Sequence, residues 1–469
     1  MDGIPYDLII AHAEVVTAAD RFRADIGIRD GKIAALGHDL GPATRTVDAT
    51  GLLALPGGVD AHCHLDQPQE VGRMADDFES GSRSAACGGT TTLIPFAAQA
   101  RGQSLRAAVE DYHRRAAGKS CLDYAFHLIV TDPTPAVLDE ELPELIRAGY
   151  TSFKVYMTYD DLKLNDRQIL DVLSVARDHG ALVMVHAENA DCISWLTDRL
   201  VAQGRTEPRY HAVSRPSAVE REATHRAITF SELVDVPILI VHVSGAEAIE
   251  QIRWAHGRGL RIYAETCPQY LYLTAQDLDL EGYEGAKLVC SPPPRDPDNQ
   301  EAVWRALSGN VFSIFSSDHA PYRYDDAEGK KPGGHTCHFQ HIPNGIPGLE
   351  TRMPLLFSGG VGGGRISIHQ FVDLTATQPA KLYGLYPRKG SIVVGGDADI
   401  ALWDPALRVT IRNADLHHDV DYTPYEGMAV TGWPVMTFSR GRLVSRHREF
   451  LGSAGAGEFM PCGTPMQHA

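Results

Sequence analysis

Apolar runs of strand length punctuate the middle of the chain. They fall at residues 51–62, 90–98, 122–130, 151–157, 181–188, 237–244, 260–265 and 311–317. Strands buried on both faces read as continuous apolar runs rather than as strict alternation, which is the habit of parallel sheet. Between several runs the apolar spacing lengthens to that of a helix. After TSFKVYM, Asn165 and Gln168 form a capping pair, Ile169, Leu173 and Ala176 share one face, and Gly180 marks the end. After PILIVHVS, Ser244 and Glu247 repeat that logic ahead of Ile249 and Ile252, with Gly257 closing. Eight strands with intervening helices predict an α/β fold, a (β/α)8 TIM barrel over residues 55–387. A doubly wound open sheet would present similar runs.

The two ends have a different texture. An apolar stretch spans residues 6–16, and ADIGIRDGKIAALG alternates about Asp30-Gly31, a residue pair suited to a tight hairpin. Short strand patterns return at 391–405 and 435–452. Together they predict a smaller β-sandwich domain built from both termini, residues 1–54 plus 388–452. Residues 453–469 show little periodicity and are expected to form a C-terminal arm.

Composition narrows the class. At 43% hydrophobic and 22% charged, the chain is neither collagen-like nor disordered. Its formal net charge of −17 would repel a polyanion, so no nucleic-acid partner is expected. The 8 cysteines are scattered with no CxxC, which reads as reduced thiols in a cytoplasmic protein. The amino terminus lacks a basic segment followed by a long apolar one, and no run approaches the ~20 residues of a spanning helix. No membrane partner is expected.

The chemistry lies in where polar residues interrupt the runs. His62 and His64 end the first run, Lys154 sits inside the fourth, His186 ends the fifth, His242 falls near the end of the sixth, and Asp318 follows the eighth. In a barrel these carboxyl ends share one face, where active sites are built. Each residue alone has an ordinary explanation: a core histidine, a snorkelling lysine, a capping aspartate. His127, on the third run, is assigned to that ordinary class. Joint placement at corresponding strand ends is what points to a site. Lys154 carries the most information, because an ammonium in an apolar strand tends to neutralise. A neutral buried amine can add CO2 and become a carbamate, N6-carboxylated lysine, whose two oxygens can bridge two cations. Two divalent cations against that carbamate, Asp318 and a bridging hydroxide leave a slight positive charge, suited to polarising a carbonyl. Imidazole and carboxylate donors suit Zn2+, with Mn2+ and Co2+ also compatible.

Over almost its whole length the chain resembles the amidohydrolase superfamily, in its dihydropyrimidinase/D-hydantoinase branch. The stretches that carry the likeness are LPGGVDAHCHLDQP, ADDFESGSRSAACGGTTTLIPFA, FKVYMTY, VHAEN, VHVSGAEA, AETCPQYL, SPPPRD, SSDHAPY, IPNG and VDYTPYEGM, in that order. The resemblance implies a binuclear metal barrel with a terminal β-sandwich. It implies one metal held by His62, His64, carboxylated Lys154 and Asp318, and a second held by Lys154, His186 and His242. It further implies that Tyr159, Ser291 and Asn344 orient the substrate, the last two through backbone groups on the ring's amide edge. By itself each of these would pass as a strand-end aromatic or a turn residue. A small cyclic ureide or imide is the implied substrate, and a homo-oligomer, a tetramer, the implied assembly.

The reaction implied is hydrolysis of a dihydropyrimidine or 5-substituted hydantoin to an N-carbamoyl amino acid, with Tyr159 steadying the oxyanion and Asp318 moving the proton. After His64 comes Leu65-Asp66-Gln67-Pro68, without the Leu-Arg of dihydroorotases or the Asn-Glu-Pro of allantoinases. Hydrolysis of another such ureide is the alternative within the superfamily. A non-catalytic scaffold relative is a third reading, disfavoured because all six ligand positions survive, and Lys154 disfavours a mononuclear deaminase. Gln67, Gln69 and Lys163 stand where Met, Phe and an aromatic are common. They predict a pocket for small or polar substituents, unless they are drift on a mobile loop.

Overall fold

In the computed structural model, which describes residues 5–68 and 72–465, the apolar runs form one closed parallel barrel. Its strands are Gly58–Cys63, Thr90–Ala98, the collinear Asp123–Tyr124 and His127–Ile129, Ser152–Tyr156, Leu182–His186, Ile238–Ile240, Ile262–Thr266 and Ile314–Phe315. Neighbours pair in parallel throughout. The last strand closes on the first: the Asp318 N–H donates to His62 O at 2.9 Å and the His64 N–H to His319 O at 2.7 Å. Closure excludes the open sheet.

Alternation along each strand decides what points inward. On Ser152–Tyr156, Phe153 and Val155 join the layer packed against the helices, while Tyr156 joins the cluster inside the cylinder with Ile94, Phe96, Met184 and Leu239. Lys154 shares the inward parity of Tyr156. His127 is buried with both ring nitrogens bonded, Nδ1 to Ser152 Oγ at 2.6 Å and Nε2 to Ala61 O at 2.9 Å. It is a satisfied core histidine.

A nine-stranded, mostly antiparallel sheet is assembled from both chain ends. Tyr6–Val16 pairs with Arg21–Arg29, which turns through Asp30 (φ +50°) and Gly31 (φ +74°) into Lys32–Gly37. Two successive positive φ values are what a tight right-twisted hairpin demands. From the other end come Ile400–Thr410, Ala429–Ser439, Arg442–Arg446 and Glu449–Phe450.

Three expectations are corrected. The run 51–62 is two strands, not one. Leu53–Pro56 pairs with Tyr6–Val16 and Ile400–Thr410 in the terminal sheet, and only Gly58–Cys63 enters the barrel. Gly57 makes the transfer, where a Cβ would stand 2.2 Å from Thr91 Oγ1. Of 391–405, the segment before Ile400 is turn, wound around buried Lys389, whose Nζ lies 2.6 Å from both Asp123 Oδ2 and Asp399 Oδ2.

The third correction concerns the helix Ala246–Gly257. Ser244 does not cap it; its N–H donates to Glu220 Oε1 at 2.9 Å and its hydroxyl bonds Glu220 and Arg295. The Ala246 N–H is capped instead by Asn299 Oδ1 at 2.8 Å, from the helix Pro297–Ser308. Gly245 permits that approach, since its Cβ would meet Asn299 Oδ1 at 2.5 Å. The other capping pair holds: Asn165 and Gln168 form a reciprocal box on Asp166–His179, and Gly180 ends the helix at φ +71°.

Residues 453–465 run across the amino-terminal ends of the barrel strands. Gly457 N–H donates to Ser120 O, Met460 N–H to Tyr124 O and Cys462 N–H to Gly149 O, and both Met460 and Cys462 are buried against the barrel interior. The opposite, carboxyl end is left open. Among the described residues no helix is long and apolar enough to cross a membrane.

Candidate metal centre

The open end holds a cavity of ≈ 350 Å³. His64, Lys154, Tyr159, His186, His242, Ser291, Asp318 and Asn344 all line it. His62 lies just behind, fully buried, with Nε2 3.1 Å from Asp318 Oδ1. All nine residues singled out from the sequence therefore meet at one place.

Hydrogen bonds fix which ring nitrogens face inward. His62 Nδ1 lies 2.6 Å from Glu265 Oε1, and His64 Nδ1 lies 2.6 Å from Gln67 Oε1. Carboxylate and amide oxygens only accept, so both Nδ1 atoms carry a proton, which leaves each Nε2 as the atom that could offer a lone pair to a cation. Those two Nε2 atoms converge on Asp318 Oδ1, at 3.1 and 3.5 Å. His186 is turned the other way: its Nε2 lies 2.7 Å from Glu188 Oε2, and Arg215 Nη1 holds the same oxygen at 2.8 Å. The His186 and His242 rings stand edge to face at 4.5 Å, and His242 Nδ1 is buried without a hydrogen-bond partner among the described residues.

Lys154 lies at the middle of this set. Its Nζ is 2.8 Å from His62 Nε2 and lies over the rings of Phe96 at 4.5 Å and Tyr156 at 5.0 Å. Burial lowers its amine to about 8, against the pull of Asp318 and Glu265. Burial likewise lowers the imidazole of His64 to about 4 and drives that of His242 far below its usual range, so both rings are neutral. Burial by itself would raise the Asp318 carboxyl, but His62 beside it, with the contact from His64, overrides that and holds the group well below the usual carboxylate range. Arg215 and His186 similarly hold Glu188 at about 2 against its burial.

Three lone-pair donors within 4.8 Å of one another, His62, His64 and Asp318, fit a divalent cation. An ammonium on Lys154 does not fit beside them; a neutral amine, or the anion it forms with CO2, does. The unpaired nitrogen of His242 supplies a further donor on the other side. The donor set thus matches the metals that the chain's motifs imply.

Backbone conformation is strained at three of these positions. Tyr159 (φ +67°), His242 (φ +40°) and Asp318 (φ +48°) all adopt left-handed backbone that side chains other than glycine rarely take. Strain of this kind, ~1–2 kcal/mol per residue, persists where surrounding bonds over-determine the geometry. For Asp318 the determinant is the closing strand bond to His62 O.

The sequence reading missed the supporting layer. Glu265, Glu188 and Arg215 were visible only as ionisable residues in apolar surroundings. Asp60 accepts the His62 and Ser317 N–H groups at 3.3 and 3.1 Å, beside buried Arg352. The residues expected around the substituent pocket fall in different places. Gln67 does line the cavity, but its carbonyl is committed to His64. Lys163 turns away to Asp160 Oδ1 at 2.6 Å, because that carboxylate lies on the same turn. Gln69 lies outside the described residues.

Comparison with known proteins agrees with this geometry. The sequence profile of the amidohydrolase family matches residues 53–444. The D-hydantoinase of Ralstonia pickettii is 46% identical over 455 residues, which span 97% of this chain and 98% of that protein. The D-hydantoinase of Rhizobium radiobacter is 46% identical with the same coverage, over 454 residues. The crystal structure of dihydropyrimidinase from Brevibacillus agri NCHU1002 superposes with a TM-score of 0.94 at 44% identity, covering 97% of this chain and 98% of that one.

Proposed function

The chain belongs to the amidohydrolase family, and we propose that it is a binuclear metal-dependent enzyme opening the cyclic amide bond of 5-substituted hydantoins or dihydropyrimidines to N-carbamoyl amino acids. It is a cyclic amidohydrolase. The observation that carries the reading is the convergence of three imidazoles, one carboxylate and one buried amine on a single cavity at the carboxyl ends of the barrel strands, with the imidazole of His62 directly behind. In this reading His62, His64, Asp318 and N6-carboxylated Lys154 hold one ion, and Lys154, His186 and His242 the other, both Zn2+. When bound, such ions polarise an amide carbonyl and make a hydroxide nucleophile available near neutral pH.

The chain's own groups do the rest. Burial pushes the Tyr159 phenol up to about 12, with Arg215 opposing, so it remains a donor at working pH. Aimed into the cavity, it donates to the carbonyl oxygen as that atom gains negative charge. Asp318, held ionised, takes the proton of the attacking water and passes it to the ring nitrogen as the C–N bond breaks. Peptide groups at Ser291 and Asn344 grip the ring's amide edge. Asn344 Nδ2 also lies 3.5 Å from the Tyr159 hydroxyl, and its Oδ1 is buried without a partner. Asp161, Gln340 and His341 line the same cavity, which supports small or polar 5-substituents over bulky aryl groups.

The remaining assignments are part of the same reading. Residues 1–54 plus 388–452 form the β-sandwich domain, 55–387 the catalytic barrel and 453–469 the arm. The assembly is a homotetramer in the cytoplasm; eight free cysteines, six of them buried, suit a reducing compartment. The test is zinc-loaded protein with bicarbonate, assayed on dihydrouracil and on hydantoins bearing methyl, carboxyethyl and phenyl groups, with metal counted in parallel. Ring opening with about two metals per chain is expected. Lys154→Ala should lose metal and activity, and short carboxylates should restore part of both. Full metal content and rate in Lys154→Ala would refute the bridging role. Neither metal nor ring opening in the unaltered protein would return the scaffold reading.

A further inference from the structure

Lys330 is 0% exposed, and no ion pair involving it occurs among the described residues. Its Nζ instead donates to two backbone carbonyls, Val289 O at 2.8 Å and Pro343 O at 2.7 Å. Burying a charge without a counter-ion is costly, and a methionine would fill the same space without that cost. What the amine alone supplies is a pair of directed N–H bonds joining two chain segments.

Those segments are the ones that carry Ser291 and Asn344. Pro343 O and the Asn344 N–H belong to one planar peptide unit, so fixing the oxygen fixes the direction of the N–H. Val289 O lies two residues ahead of Ser291 and also accepts the Gly345 N–H at 3.0 Å, which ties the second segment to the first. Between them, Cys290 O accepts from His211 Nε2 at 2.8 Å. Lys330 is itself anchored, its N–H donating to Arg323 O at 2.8 Å and its O accepting from the Tyr283 hydroxyl at 3.2 Å. Burial lowers its amine to about 7. Charged or neutral, it keeps at least two N–H groups, so both bonds survive loss of the proton.

We propose that Lys330 is a positioning residue for substrate: from behind the cavity wall it fastens the Ser291 and Asn344 segments together and so sets the spacing and direction of the peptide groups that receive the ring's amide edge. This rests on the assigned role of those two residues. Because the same peptide groups hold the ring before and during reaction, losing the fastening removes uniform binding.

The experiment is steady-state kinetics of metal-loaded Lys330→Met and Lys330→Gln on a hydantoin that the unaltered protein opens. For Lys330→Met, KM should rise roughly tenfold with kcat within about threefold, the split expected when only binding is lost. Metal content should stay unchanged. Lys330→Gln, whose amide can still reach one carbonyl, should fall between. A KM equal to that of the unaltered protein in either folded variant overturns the proposal, as does an equal fall in kcat with KM fixed. Failure of both variants to fold also overturns it, since Lys330 would then be a core residue. If the unaltered protein opens no ring, it is the functional reading that fails.

Discussion

Glu265→Gln tests whether the histidine orientations are part of the metal chemistry. Glu265 Oε1 accepts both the His62 Nδ1–H at 2.6 Å and the His242 backbone N–H at 3.1 Å, while Oε2 has no partner among the described residues. A glutamine placed with its carbonyl at Oε1 keeps both bonds and puts its NH2 where nothing was bonded. The fold should therefore survive, at the expense of one unsatisfied amide, ~1–3 kcal/mol. What changes is the charge behind His62. A bond to an ionised acceptor contributes roughly 1.5–3 kcal/mol and a neutral one roughly 0.5–1.5, a difference of about 1–1.5 kcal/mol. That corresponds to about tenfold weaker binding of the ion held by His62, at the lower end of what removing a partner behind a metal ligand costs. The assay is zinc titration against a chromophoric chelator, which resolves two binding steps. One step should weaken and the other hold, because His186 is oriented separately by Glu188 and Arg215. Two unchanged steps in a folded variant would refute the assigned orientation of His62.

Two further outcomes are expected. Tyr159→Phe should keep both metals and lower kcat by about 10²–10³, the usual loss for one oxyanion donor, measured on any hydantoin that is opened; a kcat within a few-fold of the original rules out the phenol as donor. His127, held by burial at about 3 in the folded chain against 6.5 unfolded, binds its proton more readily when unfolded. Its share of stability is therefore full above pH ~6.5 and is lost as pH falls toward 3, by up to about 1.4 kcal/mol per pH unit. His127→Asn should flatten the pH dependence of urea unfolding below neutrality by that amount, and an unchanged slope counts against the burial argument.

Much of the barrel was legible because burial on both faces leaves so plain a trace. Thr90–Ala98 coincides with its apolar run, and Asn165, Gln168 and Gly180 delimit their helix as local chemistry dictates. The misses share one cause, which is competition from residues distant in sequence. Ser244 has the right spacing for a cap, but Glu220 and Arg295 take it, and Asn299 supplies the cap from another helix. The run 51–62 looks continuous because both of its halves are buried. Only the contact of Gly57 with Thr91 shows where the chain changes sheets.

The same distinction separates what could be read of the centre from what could not. A residue that lines the cavity must point into it from a strand end, so its place along an apolar run betrays it, as Lys154 and His186 show. A residue that orients a ligand need only reach it from behind, and nothing in strand periodicity marks that. Glu265 reaches His62 across 203 residues of sequence. Lys330 reaches Val289 and Pro343 from a segment with no regular period at all. A buried lysine can still stand out: an ionisable group fully buried with no salt-bridge partner among the described residues must have its desolvation offset by bonds to backbone or to a ligand. Lys154 and Lys330 both meet that description, at 1% and 0% exposure. They differ in what surrounds the amine. Around Lys154 stand imidazoles and a carboxylate, donors for a cation, which is why we propose that its amine becomes a carbamate; around Lys330 stand carbonyl oxygens, to which its amine donates. The acceptors, not the burial, decide which of two hidden lysines becomes chemistry and which becomes scaffolding.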